Sequence, residues 1–504
     1  MLTVYSGSAG RDCSGQTRRD FLRIGVLGLG GLALPQLLAG RALAAEAKKI
    51  VADKSVVFVF LNGGPTQIEL FDPKMSAPAE VRSVTGEVQT KLPGVTFGGS
   101  FPKLAALADQ LAVVRSFRPG NANHDAGNSI LSCNNPTKAA LASIYSRLAG
   151  TGHPVTGLPS NVFISPVSVG REQHTLSING NGNLGFKGAF ETGNLASAFA
   201  AFHPTIAATT AAGGKGKPGA TAPAASGGLL ADMKLNVPAE KLDDRLGLLK
   251  QLDQLRRNLD AGGGLADLDR YQEQAYQVLL SGVSKAFDLS KEDAKTLARY
   301  DTGQHQTPAD LGKRLPQTLA HDPRCLGKQM LLARRLCEAG CGFVTVGLTG
   351  WDMHGNNGFG ITDGMEIMGP PVDHALAAFL QDVAERGLSD KILLVVAGEM
   401  GRTPKIVTAR AAAQDKTVVR PGRDHWANLG ALLLAGGGLK MGQVVGQSDK
   451  QAGAPATEPI THEHLLGTIM HVLFDVGELR IKPGLPVDLV RMITDGKVIK
   501  ELVG

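Results

Sequence analysis

The 504 residues are 43% hydrophobic and 19% charged, with 64 glycines and a net charge of +6. That length buries a substantial core, and the balance excludes a disordered chain or a coiled coil. The basic residues form no block beside aromatics, which make up only 5% of the chain, so no nucleic-acid partner is expected.

The chain opens on a targeting pattern. Thr17-Arg18-Arg19-Asp20-Phe21-Leu22-Arg23 carries paired arginines, Ile24 to Leu38 is mildly apolar and glycine-rich, and Ala42-Leu43-Ala44 offers small residues for cleavage. Residues 1–45 therefore read as a twin-arginine signal peptide, with residues 46–504 exported to the periplasm or beyond. The apolar run is shorter than the ~20 residues of a spanning helix, so no stable membrane span is expected. Cys133, Cys325, Cys337 and Cys341 lack zinc-knuckle spacing, and Cys337 and Cys341, four apart near a helix end, read as buried thiols in preference to a bridge.

Ser55 to Leu61 is a continuous apolar and β-branched run ended by Asn62-Gly63-Gly64-Pro65, the pattern of a buried parallel strand and its exit turn. Similar runs recur at Leu111 to Arg115, Val162 to Ile164, Phe343 to Leu348, Ile392 to Ala397 and Leu429 to Ala435. Helix-length segments separate them, which predicts βαβ units around a mostly parallel sheet with ligands at the carboxyl ends of the strands. Ala207 to Gly228 is a low-complexity surface insertion, and residues 229–300 repeat leucine at helical spacing as a hairpin, with Asp288-Leu289-Ser290 restarting a helix on a serine cap. Further on, a helix over Leu326 to Ala339 feeds the Phe343 strand. Another over Val372 to Arg386 ends at Gly387 and feeds the Ile392 strand.

Polar clusters follow several of these strands. Asp352 and His354, two apart in an extended loop, point to one side and suit a shared metal ion. Glu399 follows six apolar residues, so it must be paired or coordinated; a salt bridge to Arg402 or Arg423 is one explanation, ligation another. Both arginines could instead grip an anion bidentately. His425 in Gly422-Arg423-Asp424-His425-Trp426 adds an imidazole, and His124 in Asn123-His124-Asp125 stands at a helix start, where backbone N–H groups favour anions. Near the first strand Glu69 is a better candidate than Asp72, since Asp72-Pro73 is equally well explained as a turn, and His374, His462 and His464 read as structural.

The order of Asn62-Gly63-Gly64-Pro65-Thr66-Gln67, Phe71-Asp72-Pro73-Lys74, Arg115-Ser116, His124-Asp125-Ala126-Gly127, Ala286 to Glu292, Trp351-Asp352-Met353-His354-Gly355, Gly398-Glu399-Met400-Gly401-Arg402-Thr403-Pro404 and Gly422 to Trp426 resembles the secreted bacterial family called domain of unknown function 1501. Through it the chain resembles the alkaline phosphatase and sulfatase superfamily. The resemblance implies a three-layer α/β/α sandwich and a divalent ion, whether zinc, calcium, magnesium or manganese. It places Asp352, His354 and His425 on metal positions, with Glu399 where the superfamily has an aspartate and Met400 where it has a histidine. Asn62 falls near the first-strand aspartate, and Asn123 and His124 near the nucleophile. No Cys-x-Pro-x-Arg formylglycine signal occurs there.

The expectation is an exported metal-dependent hydrolase of phosphate or sulfate esters, acting on an anionic small molecule or polysaccharide. Asp352, His354, His425 and Glu399 would hold the ion, His124, Glu399 and Arg402 would be catalytic, and Asn123, Arg423 and Asn62 would face the substrate. The alternative is a non-catalytic protein of the same fold that binds an anion or glycan.

Overall fold

A computed structural model describes residues 50–124, 126–153, 156–169, 186–204, 284–305, 323–355, 360–410 and 419–503. The expected signal peptide and the 207–228 insertion lie outside the described residues, as does the 229–300 hairpin up to residue 283. Seven strands form the central sheet: β1 (Ser55–Leu61), β2 (Ala112–Val114), β3 (Asn161–Ile164), β4 (Phe343–Leu348), β5 (Ile392–Ala397), β6 (Leu432–Gly436) and β7 (Gln443–Val445). Their spatial order is β7-β2-β6-β5-β1-β4-β3. β1 pairs in parallel with β4 and β5, β3 with β4, and β7 with β2; β6 alone runs antiparallel, to both β5 and β2. Five helices matter to the site and its support: α1 (Ala126–Ser132), α2 (Leu141–Ala149), α3 (Leu326–Glu338), α4 (Ile361–Glu385) and α5 (His462–Leu473).

Every residue of β1, β4 and β5 is buried, which is why their sequences are unbroken apolar runs and not alternating ones. Side chains leave a strand to opposite faces in turn. Val57, Val59 and Leu61 thus share a core with Val344, Val346, Leu394 and Val396 and with Leu326, Met330 and Leu336 of α3 and Ala375, Leu376 and Phe379 of α4. On the other face α5 packs on β1, and α2 on β3 and β4. The result is the expected three-layer α/β arrangement.

Three details differ from the sequence reading. The connection from β5 to β6 contains two antiparallel ribbons, Gly401–Arg402 with His425–Trp426 and Val407–Arg410 with Val419–Gly422, and no crossover helix among the described residues. With no crossover to carry the chain back, β6 returns antiparallel beside β5. Helix α4 starts at Ile361, not Val372, and runs through Pro370 and Pro371. Two prolines remove two ladder donors, but Ile361, Met365, Ile367 and Met368 bury enough apolar surface to hold the extra turns in place. Finally, Ser290 is no cap. Asp288 accepts from Ser290 N at a 3-10 turn, and Asp293 accepts from Thr296 N to start the helix Ala294–Arg299.

His462, on the first turn of α5, is buried, with Nδ1 2.8 Å from Asn134 Nδ2 and its ring edge-on to Phe117. Burial pushes its pKa down to about 4. An unfolded histidine titrates near ~6.5, so as pH falls the unfolded chain takes up this proton first. The stability it contributes is intact above about 6.5 and lost progressively toward 4, by about 2 kcal/mol between pH 7 and 4.5. Urea unfolding should show that His462→Gln loses about that much less than wild type over the interval; equal losses would contradict the assignment.

Candidate metal centre

Strands β1, β4, β5 and β2 point the same way, so their exits open on one edge of the sheet. β1 delivers Asn62 and Gly63, β4 delivers Asp352 and His354, β5 delivers Glu399 and Arg402, and the loop after β2 delivers His124 just before α1. Because β6 is antiparallel, its amino end arrives at this same edge, with Leu432 opposite Ala397. His425 precedes it and is held in register opposite Arg402 by the short ribbon. The reversed strand is thus what brings the last histidine to the others. Backbone contact between loops is close. A Cβ on Gly63, at φ +119°, would meet Asp352 N at 2.6 Å, and one on Gly422 would lie 1.9 Å from His354 O.

His124, Asp352, His354 and His425 form one cluster in which a ligand atom from each lies within 4.8 Å of the others. Each imidazole turns Nε2 toward Asp352: His354 at 2.7 Å and His425 at 3.2 Å from Oδ1, His124 at 3.5 Å from Oδ2. The rings crowd together, with centroids of His124 and His425 4.5 Å apart and of His354 and His425 4.6 Å. Four donors around a tetrahedral ion with bonds near ~2.1 Å sit about 3.4 Å from one another. The observed separations bracket that spacing, so the cluster fits a divalent cation with little rearrangement. His124 Nδ1 is buried without a hydrogen bond and faces Glu399 Oε1 at 3.5 Å.

Beneath the cluster Arg402, fully buried, spends its guanidinium on protein groups. Nη2 donates to Asp352 Oδ1 at 2.6 Å and to Gly63 O, Nε to Gly64 O at 2.9 Å, and Nη1 to Arg423 O at 3.0 Å. Glu399, equally buried, accepts from Gly63 N at 2.9 Å. Burial would push the Asp352 carboxyl up, but hydrogen bonds from His124, His354 and His425 and the Arg402 charge hold it far below the usual carboxylate range. Burial of His124 opposes its charging, yet Asp352 and Glu399 outweigh that and raise it to about 9.

The remaining candidates fall elsewhere or play other parts. Glu399 is not among the four clustered ligands; His124, expected to position an anion, takes that place. Arg402 braces Asp352 and three loop carbonyls, with Nη1 also 3.5 Å from the His354 ring nitrogens, and is fully buried. Arg423 is also fully buried, donating to Val81 O at 2.8 Å, Arg82 O at 3.1 Å, Pro404 O and Glu69 Oε1 at 3.2 Å. It ties three loops together, and an anion cannot reach it. Glu69 is correspondingly its buried counter-ion, further held by Ser83 Oγ and Val84 N. Asn62 is buried, its backbone bonded to Leu348 O and Trp351 N. Asn123 is exposed beside His124. Sequence reasoning passed over Asp424, whose Oδ1 lies 3.1 Å from His354 Nδ1; its signal was adjacency to His425.

An α/β protein with a histidine-rich cluster that could hold a cation at the carboxyl edge of its sheet is the class that fold and site define. The chain belongs to the family described as protein of unknown function, DUF1501, whose model matches residues 53–503. No curated protein matches it in sequence. Among solved structures it is similar to the sulfatase PsFucS1 from Pseudoalteromonas sp., at 10% identity and TM-score 0.32, covering 86% of this chain and 74% of that one. It is also similar to alkaline phosphatase from the Antarctic bacterium TAB5, at 8% identity and TM-score 0.28, covering 78% and 94%. Overlaps that loose carry nothing about activity.

Removing Arg402 would leave the Asp352 charge and the Gly63 and Gly64 carbonyls without their donor. Arg402→Ala should therefore lower unfolding free energy by about 3–5 kcal/mol in urea titrations, and Arg402→Lys should recover only part, since an ammonium lacks the fork. A loss under about 1 kcal/mol, the range of an exposed pair, would contradict the bracing role.

Proposed function

We propose that the chain is a metal-dependent hydrolase of phosphate or sulfate esters, exported as its twin-arginine pattern suggests. The observation that carries the reading is the convergence of three imidazole Nε2 atoms and one carboxylate at the open edge of a parallel sheet, where α/β proteins bind ligands. Three nitrogens and one oxygen suit zinc or a similar transition metal better than calcium or magnesium, which prefer all-oxygen shells. The ion would supply Lewis-acid polarisation of the ester and activate water for attack. His124, Asp352, His354 and His425 would hold it, Arg402 would fix Asp352 from below, and exposed Asn123 would meet the substrate at the rim. The ester class rests on the resemblance of Asp352-Met353-His354 and His425 to metal motifs of the phosphatase and sulfatase superfamily. Among the described residues no helix is long and apolar enough to cross a membrane.

The test is turnover of p-nitrophenyl phosphate and p-nitrophenyl sulfate by zinc- and manganese-loaded protein, beside His425→Ala and beside chelator-treated wild type. Chelation should abolish turnover of one ester, and His425→Ala should lower it by roughly a hundredfold or more, with loss of bound metal. Metal binding without turnover on either ester would move the assignment to a binding protein.

A further inference from the structure

Two carboxylates stand behind two of the clustered histidines, on the side away from Asp352. Glu399 Oε1 is 3.5 Å from His124 Nδ1, and Asp424 Oδ1 is 3.1 Å from His354 Nδ1. Both rings meanwhile turn Nε2 to the cluster. A neutral imidazole has one proton to place, and only its bare nitrogen can ligate a cation. Without an ion, Asp352 also accepts at Nε2; once a cation displaces the Nε2 proton, the acceptor behind Nδ1 holds the one that is left. We infer that Glu399 and Asp424 are positioning residues that hold His124 and His354 as Nδ1–H tautomers when a cation occupies Nε2, and that Glu399 is neither a ligand nor a base.

The surroundings of Glu399 sharpen this. Its carboxylate is fully buried and already accepts from Gly63 N, at 2.9 Å through Oε1 and 3.2 Å through Oε2. Nearby, His124 Nδ1 is buried with no hydrogen bond, so a proton placed on that atom finds Glu399 as the facing acceptor. Gly63 itself lies tight against the Asp352 loop, where an added Cβ would meet Asp352 N at 2.6 Å. One backbone N–H thus sets the carboxylate, and the carboxylate sets the imidazole. Asp424, with a side chain 58% exposed, is held more loosely and should matter less. Its backbone is anchored by Thr403, since Asp424 N donates to Thr403 Oγ1 and Asp424 O accepts from Thr403 N.

Glutamine at 399 weakens the hold while keeping the shape. Oε1 both accepts from Gly63 N and faces His124 Nδ1, so a neutral amide must either serve both donors with one oxygen or turn its NH2 toward them, and in either case it holds the Nδ1 proton less well than a carboxylate. The proposal rests on the metal-site reading, and the experiment separates the two. Zinc affinity is measured by competition with a chromophoric chelator for wild type, Glu399→Gln and Asp424→Asn. Ring-nitrogen 15N shifts of histidine-labelled, zinc-loaded protein show which nitrogen carries zinc. Wild type should bind zinc through Nε2 with Nδ1 protonated. Glu399→Gln should weaken zinc by about 10- to 100-fold, and Asp424→Asn by less, each with a shift change confined to its own histidine. If Glu399→Gln fails to fold, the His124 shifts of zinc-loaded wild type still decide: zinc on Nε2 with Nδ1 protonated supports the proposal, and zinc on Nδ1 overturns it. Unchanged affinity and unchanged shifts in variants of a zinc-binding wild type would overturn this proposal alone. A wild type that takes up no zinc would overturn the metal-site reading and this proposal with it.

Discussion

The buried pair of Arg402 and Asp352 is the interaction on which the site depends. A guanidinium and a carboxylate removed from water cost several kcal/mol each unless their remaining donors and acceptors are met. Here they are met by the loops that have to be joined: Gly63 and Gly64 from the β1 exit, Arg423 from the ribbon, and the three histidines around Asp352. The pair therefore fixes the carboxylate and draws in the exits of β1, β4 and β5 at once. Breaking it would leave a charge uncompensated in a place that water does not reach.

A second buried pair, Arg423 with Glu69, repeats the device one layer out. It binds the loop after β1 to the segment around Val81 and to Pro404. The two arginines that looked suited to gripping an anion are thus both committed to shaping the rim. Among the described residues, the imidazole cluster itself and the exposed Asn123 and Asp424 beside it are left to meet a small ligand. This division explains how a site made from five separated loops can be held to ångström spacing: the charged fork residues do the holding, and the histidines are left for chemistry.

Much of this was legible in the sequence because burial on both faces leaves an unmistakable mark. Ser55 to Leu61, Phe343 to Leu348 and Ile392 to Ala397 are strands to the residue, and Asp352, His354 and His425 do come together. What sequence could not show was direction and partner. An apolar run reads the same parallel or antiparallel, so the reversal of β6 was hidden, and with it the path by which His425 reaches the edge. The sequence reading starts this helix at Val372, after Pro370-Pro371; only the packing of Met365 and Met368 shows why the helix crosses the two prolines. Glu399 and His124 traded places for the same reason, since both sit at strand exits and only their distances reveal that the histidine faces the cluster while the glutamate stands behind it.

The most direct measurement is an anomalous-diffraction map of crystals of the full chain soaked in zinc. The account predicts one peak, bonded at about 2.0–2.2 Å to Nε2 of His124, His354 and His425 and to a carboxylate oxygen of Asp352, with Glu399 outside the coordination shell. A peak coordinated by Glu399, or zinc bound only away from these four residues, would contradict it.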